Sequence, residues 1–332
     1  MAVPKSIIIA GGKGTRLGDL CDYEPKHVLP IANKPLVEYH IDELENYSPV
    51  RFSYSKHNKE FWETYFSEKP SRYSHLIPKL DTTLKGPLYP LLELLTEHDK
   101  NDYIIGITGD AFGIFDLEDM IKFHLSLGRA ITIGMSRTCP SPKACVFDID
   151  EKKKTVKGMY RESGVSKRED LINIGVYIAS PELLKEIPLD LFSYKEDSIF
   201  PLFIKKGIAS AYVLREKAVN VNTPYQYFCA NMYALQRFID ITNSGGRRYI
   251  IGDGTNIDNL DNIYNTVIGK KVTIGRNVIL RNVIVMDGSI VEHTHLENAI
   301  IKKGVECRNV KGRNMIIGED YLKESEIFEE FD

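Results

Sequence analysis

The sequence predicts an α/β protein: a doubly wound, mostly parallel, Rossmann-like sheet followed by a short parallel β-helix. Three observations predict it. In the first half, short apolar runs end in glycine or aspartate turns and alternate with segments of helical spacing. Strand, helix and strand joined by crossover-length connections imply a sheet covered on both faces. Beyond residue 265, aliphatic residues recur at spacings of six and sixteen, which suits flat-sided coils stacked in parallel.

Taken in order, residues 6–10 (SIIIA) read as a buried strand entering the turn Gly11-Gly12. Residues 35–46 have helical spacing through Leu36, Tyr39 or His40, Glu43 and Leu44. Residues 103–108 (YIIGIT) form the next buried strand and end at Gly109-Asp110. A helix is expected over 117–127 and a strand over 130–135 (AITIGM). Strands follow at 156–162, 172–179 and 210–214, then a long helix over 226–242. The breaker cluster Asn243-Ser244-Gly245-Gly246 ends it and marks a domain boundary. In such sheets ligands bind at the carboxyl ends of strands, where Gly11-Gly12 and Asp110 fall.

Past that boundary Ile268, Ile274 and Leu280 recur every six residues, and Asn282, Asn298 and Asn314 each open a short aliphatic run sixteen residues apart. One coil cannot bury its own inward face, so several must stack, and the segment has room for roughly three or four. The competing reading is a few hairpins with accidental spacing. The expected division is a first domain at 1–245, a β-helix at 246–318 and an acidic tail at 319–332, which holds seven acids and one lysine.

The length of 332 residues suits two domains, and 43% hydrophobic with 27% charged residues suits a globular chain with a sizeable core. No run of about 18 apolar residues exists to span a membrane. The first ten residues contain only four consecutive apolar ones, too few for a secretion signal. Five cysteines without close pairs suggest reduced thiols in a cytoplasm. A net charge of −3 provides no global field for nucleic acid. Arg247-Arg248 reads as linker, His293 and His295 as surface residues, and Cys139 with Cys145 lacks partners for a metal site.

The stretch Gly11-Gly12-Lys13-Gly14-Thr15-Arg16-Leu17 suggests a polyphosphate cradle. Glycines let backbone N–H groups approach an anion, Thr15 adds a hydroxyl, and Arg16 adds a planar fork matching phosphate oxygens. It is not a dinucleotide fingerprint, because Leu17 stands where the last glycine belongs, and the ATPase phosphate loop is absent too. Lys26 follows in EPKHVLPIANKPL, a segment stiffened by Pro25, Pro30 and Pro35, and could make a second phosphate contact.

Together these two motifs, Gly-Gly-x-Gly-Thr-Arg-Leu and Pro-Lys-x-x-Leu-Pro-x-x-x-Lys-Pro, resemble those of the sugar-1-phosphate nucleotidyltransferases. The resemblance extends through Thr108-Gly109-Asp110, Asn173-Ile174-Gly175-Val176-Tyr177 and Val219-Asn220-Val221-Asn222-Thr223-Pro224, covering about residues 5–235. Residues 109–124 look most like mannose- or glucose-1-phosphate members. Many members also carry a C-terminal left-handed β-helix. The implied reaction joins an NTP to a sugar 1-phosphate, giving an NDP-sugar and pyrophosphate. The attacking oxygen is already anionic, so catalysis reduces to alignment and charge neutralisation.

Carried onto this chain, the resemblance implies that Arg16 grips the triphosphate and that Lys26 contacts phosphate oxygens near the reacting centre. Ala10, Gly11, Gly12, Gly14, Thr15 and Gly86 line the nucleotide. Asp110 and Asn220 become Mg²⁺ ligands, Asn220 standing where Asp or Asn is usual. Glu162, Asn173 and Gly175 meet the sugar. The chain departs from the pattern at Ser163, where many members have a lysine for the sugar phosphate; Arg161, Lys167 or Arg168 could supply the missing cation. GTP is the triphosphate that similarity alone favours. A homo-oligomer through the β-helix is expected. A non-catalytic paralogue, or an enzyme acting on a non-sugar phosphate, is the alternative that Ser163 and Asn220 leave open.

Overall fold

In a computed structural model, residues 5–12, 14–21, 24–83, 85–99, 102–137, 145–161, 170–187, 189–191, 193–238, 248–318 and 322–324 are described. They form two compact units, residues 1–29 with 36–222, and residues 30–35 with 223–332. The hairpin at 30–35 and the helix Pro224–Phe238 thus belong to the second unit, and the cut falls ahead of residue 245.

The first unit is built on one nine-stranded sheet. Its strands are β1 (Ser6–Ala10), β2 (Val50–Ser55), β3 (Leu76–Asp81), β4 (Ile104–Thr108), β5 (Ile131–Arg137), β6 (Cys145–Asp150), β7 (Thr155–Arg161), β8 (Leu171–Ala179) and β9 (Ala209–Val213). Their spatial order is β3-β2-β1-β4-β8-β5-β9-β7-β6. Every residue of β1 and β8 is buried, as expected for strands covered on both faces. One core contains Ile7, Leu91, Ile133 and Phe200; the other contains Ile8, Ile41, Phe52, Trp62 and Ile107.

The sheet is mixed rather than mostly parallel. Strands β1, β2, β3 and β4 run parallel, as do β5 and β9. Strand β8 is antiparallel to β4, to β5 and, at Ile172, to β6. Direction is invisible in a continuous apolar run such as LINIGVYIA, whose composition suits burial in either sense.

Helices α1 (Leu36–Leu44), α2 (Lys59–Glu68), α3 (Tyr89–Leu95), α4 (Leu117–Leu127) and α5 (Glu196–Lys206) belong to this unit. Helix α1 buries Leu36, Val37, His40, Ile41 and Leu44, an apolar stripe of helical period. Helix α4 stops at Gly128, whose φ of 58° lets its N–H cap the His124 carbonyl.

In the second unit two sheets share the chain alternately. Strands at 249–251, 263–268, 279–285, 295–301 and 311–317 pair in parallel, as do those at 256–257, 273–274, 290–292 and 306–308. Register partners such as Thr266 and Val283, or Val283 and Ala299, are seventeen or sixteen residues apart. The recurring aliphatics Ile268, Ile274 and Leu280 are all buried in this core, which rules out unrelated hairpins. Strand 322–324 closes one edge in the antiparallel sense. Residues 325–332 of the acidic tail lie outside the described residues, as do the 243–246 breaker, Cys139 and Arg247.

Candidate functional site

The site begins where β1 and β4 leave the sheet. Ile9 lies opposite Thr108, and the Gly109 N–H donates to the Ile9 carbonyl at 2.8 Å. The loop after Ala10 and the turn Gly109-Asp110 therefore emerge side by side. Ser55, at the end of β2, donates its hydroxyl to the Gly11 carbonyl at 3.0 Å. Leu17 anchors the far side of the loop, being 1% exposed with its N–H on the Gly14 carbonyl. Thr15 and Arg16 open the following stretch of tight helical turns, Thr15–Cys21, which is broken by a kink at Gly18, and both are exposed.

Lys26 sits in the single turn Lys26–Val28, entered from Pro25, and all three residues are buried. Its aliphatic stem runs against the glycine loop. A Cβ on Gly12 would come 3.1 Å from Lys26 Cε, and one on Gly14, whose φ is 72°, would come 3.1 Å from Lys26 Cβ. Gly14 thus answers two demands, a left-handed backbone and a close neighbour. The Lys26 ammonium donates to Asp110 Oδ2 at 2.6 Å and to Asn222 Oδ1 at 2.7 Å. Side-chain exposures of 7% and 18% mark the Lys26–Asp110 pair as largely withdrawn from water.

Burial by itself pushes the Asp110 carboxyl up, but the Lys26 charge and hydrogen bond outweigh it and hold the group below the usual carboxylate range. His27, 1% exposed, packs edge-on over Gly109, where a Cβ would lie 2.7 Å from its Cδ2. Burial first, and then the Lys26 charge, lower its pKa to about 3, so its imidazole stays neutral beside the carboxylate.

On the other flank, β8 bulges between Asn173 and Tyr177. Gly175 sits in that bulge with φ 76°, and its N–H donates to Asn173 Oδ1 at 2.9 Å. Asn173 Nδ2 donates to the Tyr177 hydroxyl at 2.7 Å. A short antiparallel pairing sets Asn220 opposite Ala111, with the Val221 N–H on the Asp110 carbonyl at 2.7 Å. Asn220 Nδ2 donates to the Asn173 carbonyl at 2.8 Å, while Asn220 Oδ1 is buried without a hydrogen-bond partner.

A glycine loop, a buried lysine and a strand-end aspartate thus meet where β1 and β4 leave the sheet, and residues 5–237 match the family model described as nucleotidyl transferase. The chain belongs to that family. Among its relatives, mannose-1-phosphate guanylyltransferase catalytic subunit beta of Danio rerio is 26% identical over 359 residues, covering 98% of this chain and 93% of that protein. Mannose-1-phosphate guanylyltransferase 1 of Arabidopsis thaliana is 24% identical over 318 residues, covering 92% and 82%. The fold is shared with HddC from Yersinia pseudotuberculosis, solved with GMP-PN, at TM-score 0.53 and 20% identity, covering 70% of this chain and 99% of that one. It is shared too with a Bacillus anthracis protein named as a candidate glucose-1-phosphate thymidylyltransferase, at TM-score 0.57 and 18% identity, covering 71% and 96%.

In this nucleotidyl transferase the oxygen donors fit a hard divalent cation. Among the described residues no group of three or more His, Cys, Asp and Glu gathers. What is present is one carboxylate, Asp110, and the orphaned amide oxygen of Asn220. An unsatisfied buried acceptor is costly, and an oxygen-liganded ion that retains waters and takes phosphate oxygens, as Mg²⁺ does, would satisfy it.

Gly86 has a φ of 131°, and a Cβ there would lie 2.7 Å from backbone atoms of Tyr194 and Lys195, so a glycine is required where these two segments of the chain pack. Lys85 is engaged as well, with its ammonium on the Leu189 carbonyl at 3.1 Å and over the Tyr89 ring. Glu162, Ser163, Lys167 and Arg168 lie outside the described residues, as does Lys13. Two contributors were not singled out from sequence. Asn222 could have been found, because it follows Asn220 by two in an extended run and shares its side. For His27 the sequence carries no signal beyond adjacency to Lys26.

Proposed function

We propose that the protein transfers a nucleotidyl group from an NTP, with GTP favoured, to a sugar 1-phosphate, forming an NDP-sugar and pyrophosphate. The observation that carries this is the cluster of Lys26, Asp110 and Asn222 beside the glycine loop. The names of the guanylyltransferase relatives favour guanine and mannose 1-phosphate.

In this reading the backbone of Ala10, Gly11, Gly12 and Gly14 receives the nucleotide, with Thr15 as a hydroxyl donor. Exposed Arg16 reaches the β- and γ-phosphates and stabilises the departing pyrophosphate. Lys26 neutralises oxygens at the reacting phosphorus. Asn173 and Gly175 orient the sugar, Glu162 accepts from its hydroxyls, and Gly86 shapes the base side through the chain it packs against. Asp110 and Asn220 hold Mg²⁺, which when bound supplies charge neutralisation and alignment of the two phosphates. No general base is required, because the attacking phosphate oxygen is an anion near neutral pH.

We further assign residues 1–245 to catalysis, 246–318 to a left-handed β-helix through which copies associate, and 319–332 to an acidic tail. A cytoplasmic setting suits the reaction; among the described residues no helix is long and apolar enough to cross a membrane. Asn220, an amide where a carboxylate would neutralise more charge, favours a second reading as a non-catalytic binding paralogue. The test is pyrophosphate release with Mg²⁺, five nucleoside triphosphates and a panel of sugar 1-phosphates. Release with GTP and mannose 1-phosphate supports catalysis; triphosphate binding with no release from any pair supports the paralogue.

A further inference from the structure

We propose that Lys26 is the resident counter-ion of the divalent-cation site, neutralising Asp110 until a nucleoside triphosphate draws its ammonium away, so that the cation enters with the triphosphate and not ahead of it. This rests on the reading that Asp110 and Asn220 hold that cation.

The geometry points to exchange rather than coexistence. The ammonium lies 2.6 Å from Asp110 Oδ2, a charge-assisted bond in a partly buried site. A dication on the same carboxylate would stand within a few ångströms of the ammonium. Two cations that close in a partly buried site repel far more strongly than in water. Asn220 Oδ1, meanwhile, is buried with its acceptor unmet, so half of the cation's donor set is unfilled while the other half is held by Lys26.

An exit for Lys26 lies beside it. Its stem already lies against Gly12 and Gly14, the loop whose backbone would meet the phosphates. Phosphate oxygens settling there offer the ammonium a stronger anionic partner at little displacement. Its other contact, Asn222 Oδ1, is uncharged and does not compete with them. Among the described residues Asp110 is the only anion paired with Lys26.

The experiment titrates Mn²⁺ into metal-free protein without nucleotide and follows the free-ion signal by electron paramagnetic resonance. Wild type is compared with Lys26→Met and with Lys26→Gln, which keeps a donor to Asp110 but no charge; thermal melting in chelator checks that each is folded. Both variants are expected to bind Mn²⁺ about 100-fold more tightly than wild type, two tenfold steps in affinity. Adding Asp110→Asn to either should abolish that gain. Equal affinity of wild type and both variants overturns the exchange, and so does a failure of all three to bind. Pyrophosphate release by wild type, measured in parallel, shows separately whether nucleotidyl transfer itself stands.

Discussion

A Cβ on Gly175 would lie 1.9 Å from Thr108 Oγ1. The bulge of β8 is therefore pressed onto the end of β4, directly before Gly109-Asp110, and only a residue without a side chain fits. With φ at 76°, alanine would also meet the left-handed backbone penalty. Gly175→Ala is expected to destabilise the protein by about 3 kcal/mol, overpacking and strain combined. Gly128→Ala is the control, since its φ is 58° but nothing lies within 4 Å. It should cost only about 1 kcal/mol. Urea midpoints at unchanged slope measure both; equal losses would remove the role of Thr108.

Arg16 and Asp110 should separate chemistry from stability. Arg16 is exposed, so Arg16→Ala is expected to leave the melting midpoint nearly unchanged while lowering turnover by about 100-fold, the scale of one lost charge-stabilising donor. Asp110→Asn should lower turnover by at least about 100-fold. Steady-state pyrophosphate release gives kcat for each. Full turnover in Asp110→Asn would end its assignment as a metal ligand.

Stability should fall as the solution is acidified from pH 6.5 to 4, through His124. Its Nδ1 and Nε2 lie 2.9 Å from Thr132 Oγ1 and 2.8 Å from Ser180 Oγ. Burial lowers its pKa to about 4, against a slight opposing pull from Glu182. Between that value and the unfolded one the unfolded chain binds the extra proton, so unfolding gains as pH falls. The loss is on the order of 3 kcal/mol, reached near pH 4. His27 acts in the same direction over a wider window, down to about pH 3. Replacing His124 by Gln should therefore flatten, but not abolish, the slope of melting temperature against pH. An unchanged slope would contradict a neutral, buried His124.

The parts of the fold that could be read from sequence are those that a local signal marks. Residues 117–127 show helical spacing and a terminal glycine, and the helix occupies that span. Residues 6–10 and 104–108 are β-branched runs closed by turns, and both are strands. Strand β2 carries no signal of burial, because VRFSYS alternates polar and apolar residues like a surface strand, whereas in the protein all six are buried. Two of its polar members find partners from afar: Arg51 pairs with Glu97 through two prongs of its guanidinium, and Ser55 donates to the Gly11 carbonyl. Such long-range partners leave no trace in the run itself. The same holds at the site. Lys26 and Asp110 lie on motifs, but their mutual bond joins residues 84 positions apart, and its consequence for cation entry appears only in three dimensions.

Asparagine, the other regular signal of the C-terminal half, carries the last prediction. Asn265, Asn282, Asn298 and Asn314 all have left-handed φ, from 46° to 56°. Each amide donates to the next, at 3.1 Å from Asn265 to Asn282, 2.8 Å onward to Asn298 and 3.2 Å to Asn314. Asparagine tolerates that backbone better than other residues with a Cβ, and its side chain supplies donor and acceptor at once. The two contributions can be separated at Asn298. Asn298→Gly keeps the backbone but loses both amide bonds, and is expected to cost about 1–2 kcal/mol. Asn298→Ala adds the left-handed penalty and should cost about 1 kcal/mol more. Chemical unfolding of the full chain measures the difference. Equal stability of the two variants would mean that the turn imposes no backbone demand, and a glycine variant as stable as wild type would mean that the ladder contributes nothing.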